Sequence, residues 1–162
     1  MNELGQVLVE IADREFDGQS YNGPSFMATL RAASLEQVLS TDTLEGFNIY
    51  GVVLHVLFCK YQMLVALGVE AEAFPYEDTD WPAVPADADE SSWKAALKLL
   101  SDYHRRINDA AVALGPEELN VVFARWRTTR RDLLLWYVTH DTYHTAQIRN
   151  MGVPGLEFKP PA

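Results

Sequence analysis

The sequence predicts an all-α fold, a four-helix bundle that forms a single domain over residues 1–162. Three observations predict it. Four long segments carry apolar residues at a spacing of three or four, glycine and proline separate these segments, and no set of alternating strands is apparent. The 162 residues are 48% apolar, which is enough for one domain with a sizeable core.

The first helix is predicted over about residues 3–15, because four apolar residues recur there at helical spacing. These are Leu4, Val7, Leu8 and Ile11. A short helix from Pro24 to about Ala33 follows, since proline suits the first helical position. A further turn is expected near Leu35–Leu39.

The second long helix is predicted to begin after Asn48, a good N-cap, and to reach Leu67 before the stop signal Gly68. It is apolar on nearly every face, so we expect it to be largely buried. Residues 69–90 then form a long acidic loop with no helical or strand period. Loops of this length are often functional, and we expect Trp81 to anchor this one to the bundle.

The third long helix is predicted from about Ser91 to Leu114. Residues 119–127 are interpreted as extended chain or loop. The last helix is predicted to begin near Thr129, with an acidic residue three positions on as an approximate capping box. It is expected to reach about Met151, before a glycine and a proline.

Composition bounds the partners that we expect. The net charge of −10 argues against a nucleic-acid partner and against an anionic membrane surface, because both require basic protein surfaces. Cys59 is the one cysteine, and the N-terminal segment lacks a basic stretch followed by an apolar run, so we expect a cytoplasmic protein. Bundles of this size often pair symmetrically, so a homodimer is expected.

Two histidines lie on the apolar stripe of the last helix. The stripe consists of Leu133, Tyr137, His140, His144, Ile148 and Met151. His140 and His144 are one turn apart, which places their Cβ atoms roughly 5–6 Å from each other, close enough to share one metal ion. His55, inside the most apolar helix, is the natural third ligand. Three imidazoles with an open position are a catalytic zinc pattern.

The histidine pattern also has to be compared with three other interpretations, namely a core role, a zincin motif and a di-iron bundle. A single histidine such as His55 on an apolar face is more often a hydrogen-bonded core residue than a ligand. The segment from His140 to His144 is similar to the zincin HExxH motif, with Asp141 in place of glutamate, but no further histidine follows to complete that site. A di-iron bundle requires Glu-x-x-His pairs, which the sequence lacks.

Four segments together resemble the DinB-like (DinB/YfiT) superfamily of four-helix-bundle metalloproteins. They are GPSFMATL, FNIYGVVLHVLF, DTDWPAVPADADESSWKAALKLLSDYH and THDTYHTAQIRNM. The last resembles the family's H-x-x-x-H-x-x-Q-I signature and places His140, His144 and Gln147 in it. A histidine of the second long helix completes the family's metal triad, and His55 matches it. The resemblance implies one divalent ion, reported in the family as zinc, nickel or manganese.

The resemblance implies a reaction less specifically than it implies a metal site. Members with known activities include thiol-dependent S-transferases and a mycothiol-dependent isomerase, whereas many members have no assigned reaction. The leading hypothesis is therefore metal-assisted transfer of a low-molecular-weight thiol to a small-molecule electrophile. A metal-dependent hydrolase is an alternative, and a non-catalytic metal-binding or stress-response accessory protein is another. An open coordination position would favour catalysis, and closure by Cys59 would favour a structural site.

Several residues near the predicted ligands are open to more than one interpretation. Gln147 could orient a ligand or tie two helices together. Asp141 could accept a hydrogen bond from a histidine on another helix. His104, on the inward stripe of the third long helix, is interpreted as a core residue or as a residue that supports a metal ligand, and not as a ligand itself. The basic cluster could attract an anionic substrate or pair with acidic loops, and the second interpretation is preferred. The cluster consists of Arg125, Arg127, Arg130 and Arg131.

Overall fold

The computed structural model describes residues 3–158, which are mostly helical, as the all-α prediction requires. Seven helices and one two-stranded hairpin make up this part of the chain. In order, they are α1 (Glu3–Phe16), α2 (Phe26–Arg31), α3 (Leu35–Leu39), α4 (Ile49–Leu67), α5 (Glu90–Ala113), α6 (Pro116–Leu119), β1 (Val122–Phe123), β2 (Thr128–Thr129) and α7 (Arg130–Asn150). The four long helices α1, α4, α5 and α7 match the four predicted ones.

Local capping chemistry fixes the ends of the two helices that carry the candidate ligands. The Asn48 side chain accepts a hydrogen bond from the Gly51 N–H at 2.7 Å and caps α4. Gly68 ends α4 in the left-handed conformation, with φ of 77°. Thr129 caps α7 by accepting a hydrogen bond from the Asp132 N–H at 3.1 Å. These predicted boundaries are confirmed.

Two short segments differ from the prediction. The first short helix begins at Phe26, because the extended residue Ser25 caps it by accepting a hydrogen bond from the Ala28 N–H. Pro24 therefore lies before the helix and not at its first position. Residues 116–119, where no helix was predicted, form α6. The segment 119–127, interpreted as extended chain or loop, contributes the strand β1 to an antiparallel pair with β2.

Two of the long helices, α1 and α4, each pack against both α5 and α7. Helix α4 lies against α5 and α7, and α1 lies against the same two helices from the other side of the chain's core. Helix α4 is long and apolar enough to cross a membrane, but 78% of its most apolar window is buried inside the protein. That burial is the pattern of a core helix in a soluble protein. Between α4 and α5, residues 68–89 contain no helix or strand.

Helix α1 turns a different face to the core than its apolar spacing suggests. Leu8 is buried, but Leu4, Val7 and Ile11 are 39%, 57% and 36% exposed. The buried face continues instead through Ala12. The apolar period predicted the helix correctly, and neighbouring helices decided which of its residues are buried.

Candidate metal centre

The structure brings together the three histidines that the sequence singled out. His55 comes from the middle of α4, and His140 and His144 come from successive turns of α7. One ligand atom from each lies within 4.8 Å of the other two. The Nε2 atoms of His140 and His144 are 3.1 Å apart. Within residues 3–158, these three side chains form the one such group of histidine, cysteine and carboxylate ligands.

Hydrogen bonds on the far side of two rings orient the nitrogens that face the site. The Nδ1 of His55 donates to the Asp80 carbonyl oxygen at 2.5 Å. The Nδ1 of His144 donates to the Gln147 side-chain oxygen at 2.8 Å. Both acceptors lack a proton to give, so each Nδ1 carries the ring's hydrogen and each Nε2 keeps its lone pair. Such outer hydrogen bonds fix the tautomer that a metal-binding imidazole needs.

Burial keeps all three rings uncharged at neutral pH. Desolvation, with smaller contributions from the neighbouring His144 and His55, lowers the pKa of His140 to about 2. Desolvation lowers the pKa of His144 to about 4. The pKa of His55 is also lowered by burial, although its hydrogen bond to Asp80 opposes that effect. Neutral imidazoles offer lone pairs to a cation without first releasing a proton.

The donor set fits a divalent ion. Bonds of about 2.0–2.1 Å in a tetrahedral site place ligand nitrogens about 3.3 Å apart. The 3.1 Å between the Nε2 atoms of His140 and His144 is close to that spacing. The His55 ring centroid lies 4.9 Å from that of His144 and 5.4 Å from that of His140, and the ligand atoms of all three lie within 4.8 Å of one another.

A cavity of about 620 Å³ lies over the three histidines. Cys59, Asp80 and Thr139 contribute to its wall, and the rest of the wall is aromatic. Each histidine ring packs against one of these aromatic rings. The pairs are His55 with Trp81 at 4.2 Å, His140 with Trp136 at 4.2 Å and His144 with Tyr143 at 5.0 Å between centroids. Volumes of this size are typical of small-molecule sites.

Trp81 holds the loop at this cavity and not at a distant part of the core. Its ring stacks on His55 with an interplanar angle of 10°, and on Phe47 at 5.2 Å between centroids. The predicted anchoring of the loop is confirmed, with one of the three candidate ligands as the anchoring partner. Sequence reasoning did not identify Trp126, Trp136 and Tyr143 as site residues. Trp136 and Tyr143 could have been found, since they flank the histidine stripe one turn away.

Cys59 borders the group without joining it. Its Sγ lies 3.7 Å from the Nε2 of His55, but it is not among the ligand atoms that converge within 4.8 Å. Burial raises the pKa of the Cys59 thiol to about 12, so the group is protonated at neutral pH. Buried, protonated cysteine usually behaves as a small apolar residue.

Gln147 contacts a candidate ligand directly. Besides accepting from His144, its side-chain nitrogen donates to Glu45 at 3.3 Å, in the segment before α4. The amide therefore orients an imidazole and is itself held in place. It does not tie two helices together.

Asp141 does not accept a hydrogen bond from a histidine on another helix, as one interpretation predicted. Its Oδ2 accepts a hydrogen bond from Lys60 Nζ at 2.7 Å, and both side chains are almost fully buried. The Nδ1 of His104 lies 3.9 Å from the same oxygen, too far for a hydrogen bond. Sequence reasoning missed Lys60. The available signal was a lysine inside a continuously apolar helix, which requires a buried carboxylate partner.

His104 is a core residue, as predicted. Its Nδ1 lies 2.7 Å from the Tyr137 hydroxyl, and its Nε2 lies 2.9 Å from the Asp13 carboxylate. Burial, with a smaller contribution from the nearby charge of Lys60, lowers the pKa of His104 to about 2. The ring belongs to a polar network between α1, α5 and α7 and not to the histidine group.

The basic cluster is engaged elsewhere. Arg125 pairs with Asp78 at 3.4 Å, and Arg130 donates to the Ala66 carbonyl oxygen at 2.7 Å. Arg131 lies 3.5 Å from Asp132. None of the four arginines lines the cavity over the histidines. The contacts of Arg125 and Arg131 agree with the preferred interpretation, a solvated face paired with acidic residues, whereas Arg130 binds a backbone carbonyl oxygen.

A family model described as the DinB superfamily matches residues 24–148, a segment that includes all three histidines and Gln147. No curated protein matches the chain. No solved structure matches it either.

Proposed function

The chain belongs to the DinB superfamily, and we propose that it binds one divalent ion through His55, His140 and His144 and uses it to transfer a small thiol to an electrophile. The observation that carries the proposal is the convergence of three neutral imidazoles at the floor of a cavity of about 620 Å³. Neither a core role nor a helix-tying role requires three rings to converge beneath a cavity.

The donor set favours particular ions. Neutral nitrogen donors suit zinc and nickel, whereas manganese prefers carboxylate, carbonyl and water oxygens. We therefore propose zinc or nickel as the bound ion. When bound, such an ion supplies Lewis acidity that generates a nucleophile from a thiol or from water near neutral pH.

The chain's own residues support a catalytic site over a structural one. Structural zinc sites are closed by four protein ligands. Here three ligands converge, and the Sγ of Cys59 lies outside the group. Hydrogen bonds to Asp80 and Gln147 hold two of the rings in the tautomer that leaves Nε2 free.

The family assignment also supports a finer description of the fold. We propose that α1, α4, α5 and α7 form the four-helix bundle typical of the superfamily, with the acidic loop covering the metal site. A cytoplasmic location, a small-molecule substrate and a homodimer stay predictions.

The function is tested with zinc-loaded and nickel-loaded protein and a panel of small thiols and electrophiles. We expect steady thiol consumption by the loaded protein and its loss in His140→Ala. Ester or amide hydrolysis is measured on the same samples. Hydrolysis without thiol transfer would replace the proposal with a hydrolase, and loaded protein that performs neither reaction would leave the non-catalytic alternative.

A further inference from the structure

Four aromatic side chains surround the cavity above the histidines, and we call them the aromatic collar. The collar consists of Trp81, Trp126, Trp136 and Tyr143. Three of these rings pack against the histidines, and Trp126 packs edge-on against Trp136 at 5.4 Å between centroids. The collar draws on three elements, namely the loop before α5, the hairpin turn between β1 and β2, and α7.

The collar is unusually open to solvent for such large rings. Trp81 is 42% exposed and Tyr143 is 66% exposed, and the other two are half-buried. Three of the chain's four tryptophans are in the collar. The fourth, Trp93, is buried against Tyr50 in the core. Exposed aromatic rings gathered at a cavity mark a binding surface, because their apolar area gains nothing from contact with water.

The charges around the cavity restrict what it can hold. No lysine or arginine is among the described residues that line it, and Asp80 is its one carboxylate-bearing residue. The whole chain has a net charge of −10. An anionic substituent held among the collar rings would therefore find no cationic side chain in the wall, and only the proposed ion at the floor of the cavity could offset its desolvation.

We propose that the molecule held in this cavity carries a neutral, flat aromatic ring that packs among the collar rings. Offset-stacked and edge-to-face packing on the collar supplies the affinity, and the absence of a cationic wall residue selects against carboxylates that do not reach the proposed ion. The inference rests on the proposed function only in placing the ring beside the proposed ion.

The test uses three thiols that differ in one property each. Benzyl mercaptan carries the flat ring, cyclohexylmethanethiol has the same carbon count without flatness, and 4-(mercaptomethyl)benzoate adds a negative charge. Each is titrated into ¹⁵N-labelled protein, and the four tryptophan indole N–H signals are followed by NMR. Single Trp→Phe variants assign the signals, and the Trp93 signal is the internal control for the core.

We expect benzyl mercaptan to shift the signals of Trp81, Trp126 and Trp136 while the Trp93 signal stays in place. Its Kd should be about two- to tenfold lower than that of cyclohexylmethanethiol, as the strength of an aromatic pair requires. On metal-free protein, the benzoate should bind more weakly than both. Trp81→Leu should remove the preference for the flat ring, and Trp81→Phe should retain it.

Equal Kd values for the benzyl and cyclohexyl thiols would overturn the inference, and so would tightest binding of metal-free protein by the benzoate. The titrations are run on zinc-loaded and on metal-free protein. Failure of the wild type to retain zinc would contradict the proposed function alone, since the metal-free titration still decides whether the collar prefers a flat ring.

Discussion

The two ring nitrogens of a candidate ligand have different tasks, and His144 shows this most directly. Its Nδ1 donates a hydrogen bond to the Gln147 side-chain oxygen at 2.8 Å, which leaves Nε2 as the nitrogen that faces His140. An imidazole without such a partner exchanges between two tautomers and several ring orientations. Gln147 therefore acts on the metal site through His144.

Removing the Gln147 acceptor should weaken metal binding without unfolding the protein. We expect Gln147→Leu to raise the zinc Kd by about 10- to 100-fold, the usual cost of losing such a partner. Gln147→Glu keeps an oxygen acceptor and should stay close to the wild-type Kd. Competition with a chromophoric chelator measures both. Equal Kd values for Gln147→Leu and the wild type would show that the hydrogen bond does not act on the site.

The buried His104 should make stability fall in mild acid. The folded chain lowers the pKa of His104 to about 2, whereas an unfolded histidine titrates near its ordinary value of about 6.5. Between these values the unfolded state binds a proton that the folded state does not. Stability is therefore lost as the pH falls below about 6.5, at up to about 1.4 kcal/mol per pH unit for one such histidine.

His104→Gln should reduce this acid sensitivity. We expect urea unfolding of metal-free protein between pH 7 and pH 5 to show a smaller decline in the free energy of unfolding for the variant than for the wild type. His140 and His144 contribute to the remaining decline, since burial lowers their pKa values as well. An identical decline in both proteins would contradict the assignment of an uncharged, buried His104.

At the residue scale, spacing predicted the ligands but not their surroundings. His140 and His144 follow from helical period alone. The contact between Lys60 and Asp141 joins positions 81 residues apart, so no local pattern reveals it. Trp126 lies in a hairpin turn, where apolar periodicity carries no information about what a side chain will face.

At the scale of elements, the metal site depends on how α4 lies against α7. The buried ion pair between Lys60 and Asp141 joins these two helices, with 2% and 4% of the side chains exposed. Lys60 lies five residues after His55, and Asp141 directly follows His140. The pair therefore helps to fix the register that brings the ligands of the two helices together.

Removing either partner alone should be costly. We expect Lys60→Met or Asp141→Leu to lower the free energy of unfolding by about 3–5 kcal/mol, because each leaves an uncompensated buried charge. The double variant should recover much of the loss, since a buried ion pair is often replaceable by apolar side chains. Urea unfolding of the four proteins forms a double-mutant cycle. Additive losses would mean that the two side chains do not interact.

The ends of the elements were predictable where the capping signal is local. Asn48, Gly68 and Thr129 each act on backbone groups within a few residues, so sequence alone locates the ends of α4 and the start of α7. The buried face of α1 was not predictable, because Leu4 and Val7 are as apolar as Leu8. Only the positions of α5 and α7 decide which of them is covered.

At the scale of the whole molecule, distant parts of the chain build one site. The ligands come from α4 and α7, one wall comes from residues 68–89, and another comes from the hairpin between α6 and α7. Apolar spacing predicted the helical fold, the family resemblance strengthened the choice of ligands, and the match over residues 24–148 confirms the family. The aromatic collar was not predicted, because it exists only where the loop and the hairpin lie beside α7.

The most direct test of the central claim is the metal content of purified protein, measured by mass spectrometry of the ion. The wild type should retain about one divalent ion per chain, and His55→Ala, His140→Ala and His144→Ala should each lose most of it, because two imidazoles hold an ion far less tightly than three. His104→Gln is the matched control and should retain the wild-type content. Equal metal content in the wild type and all three alanine variants would contradict the account.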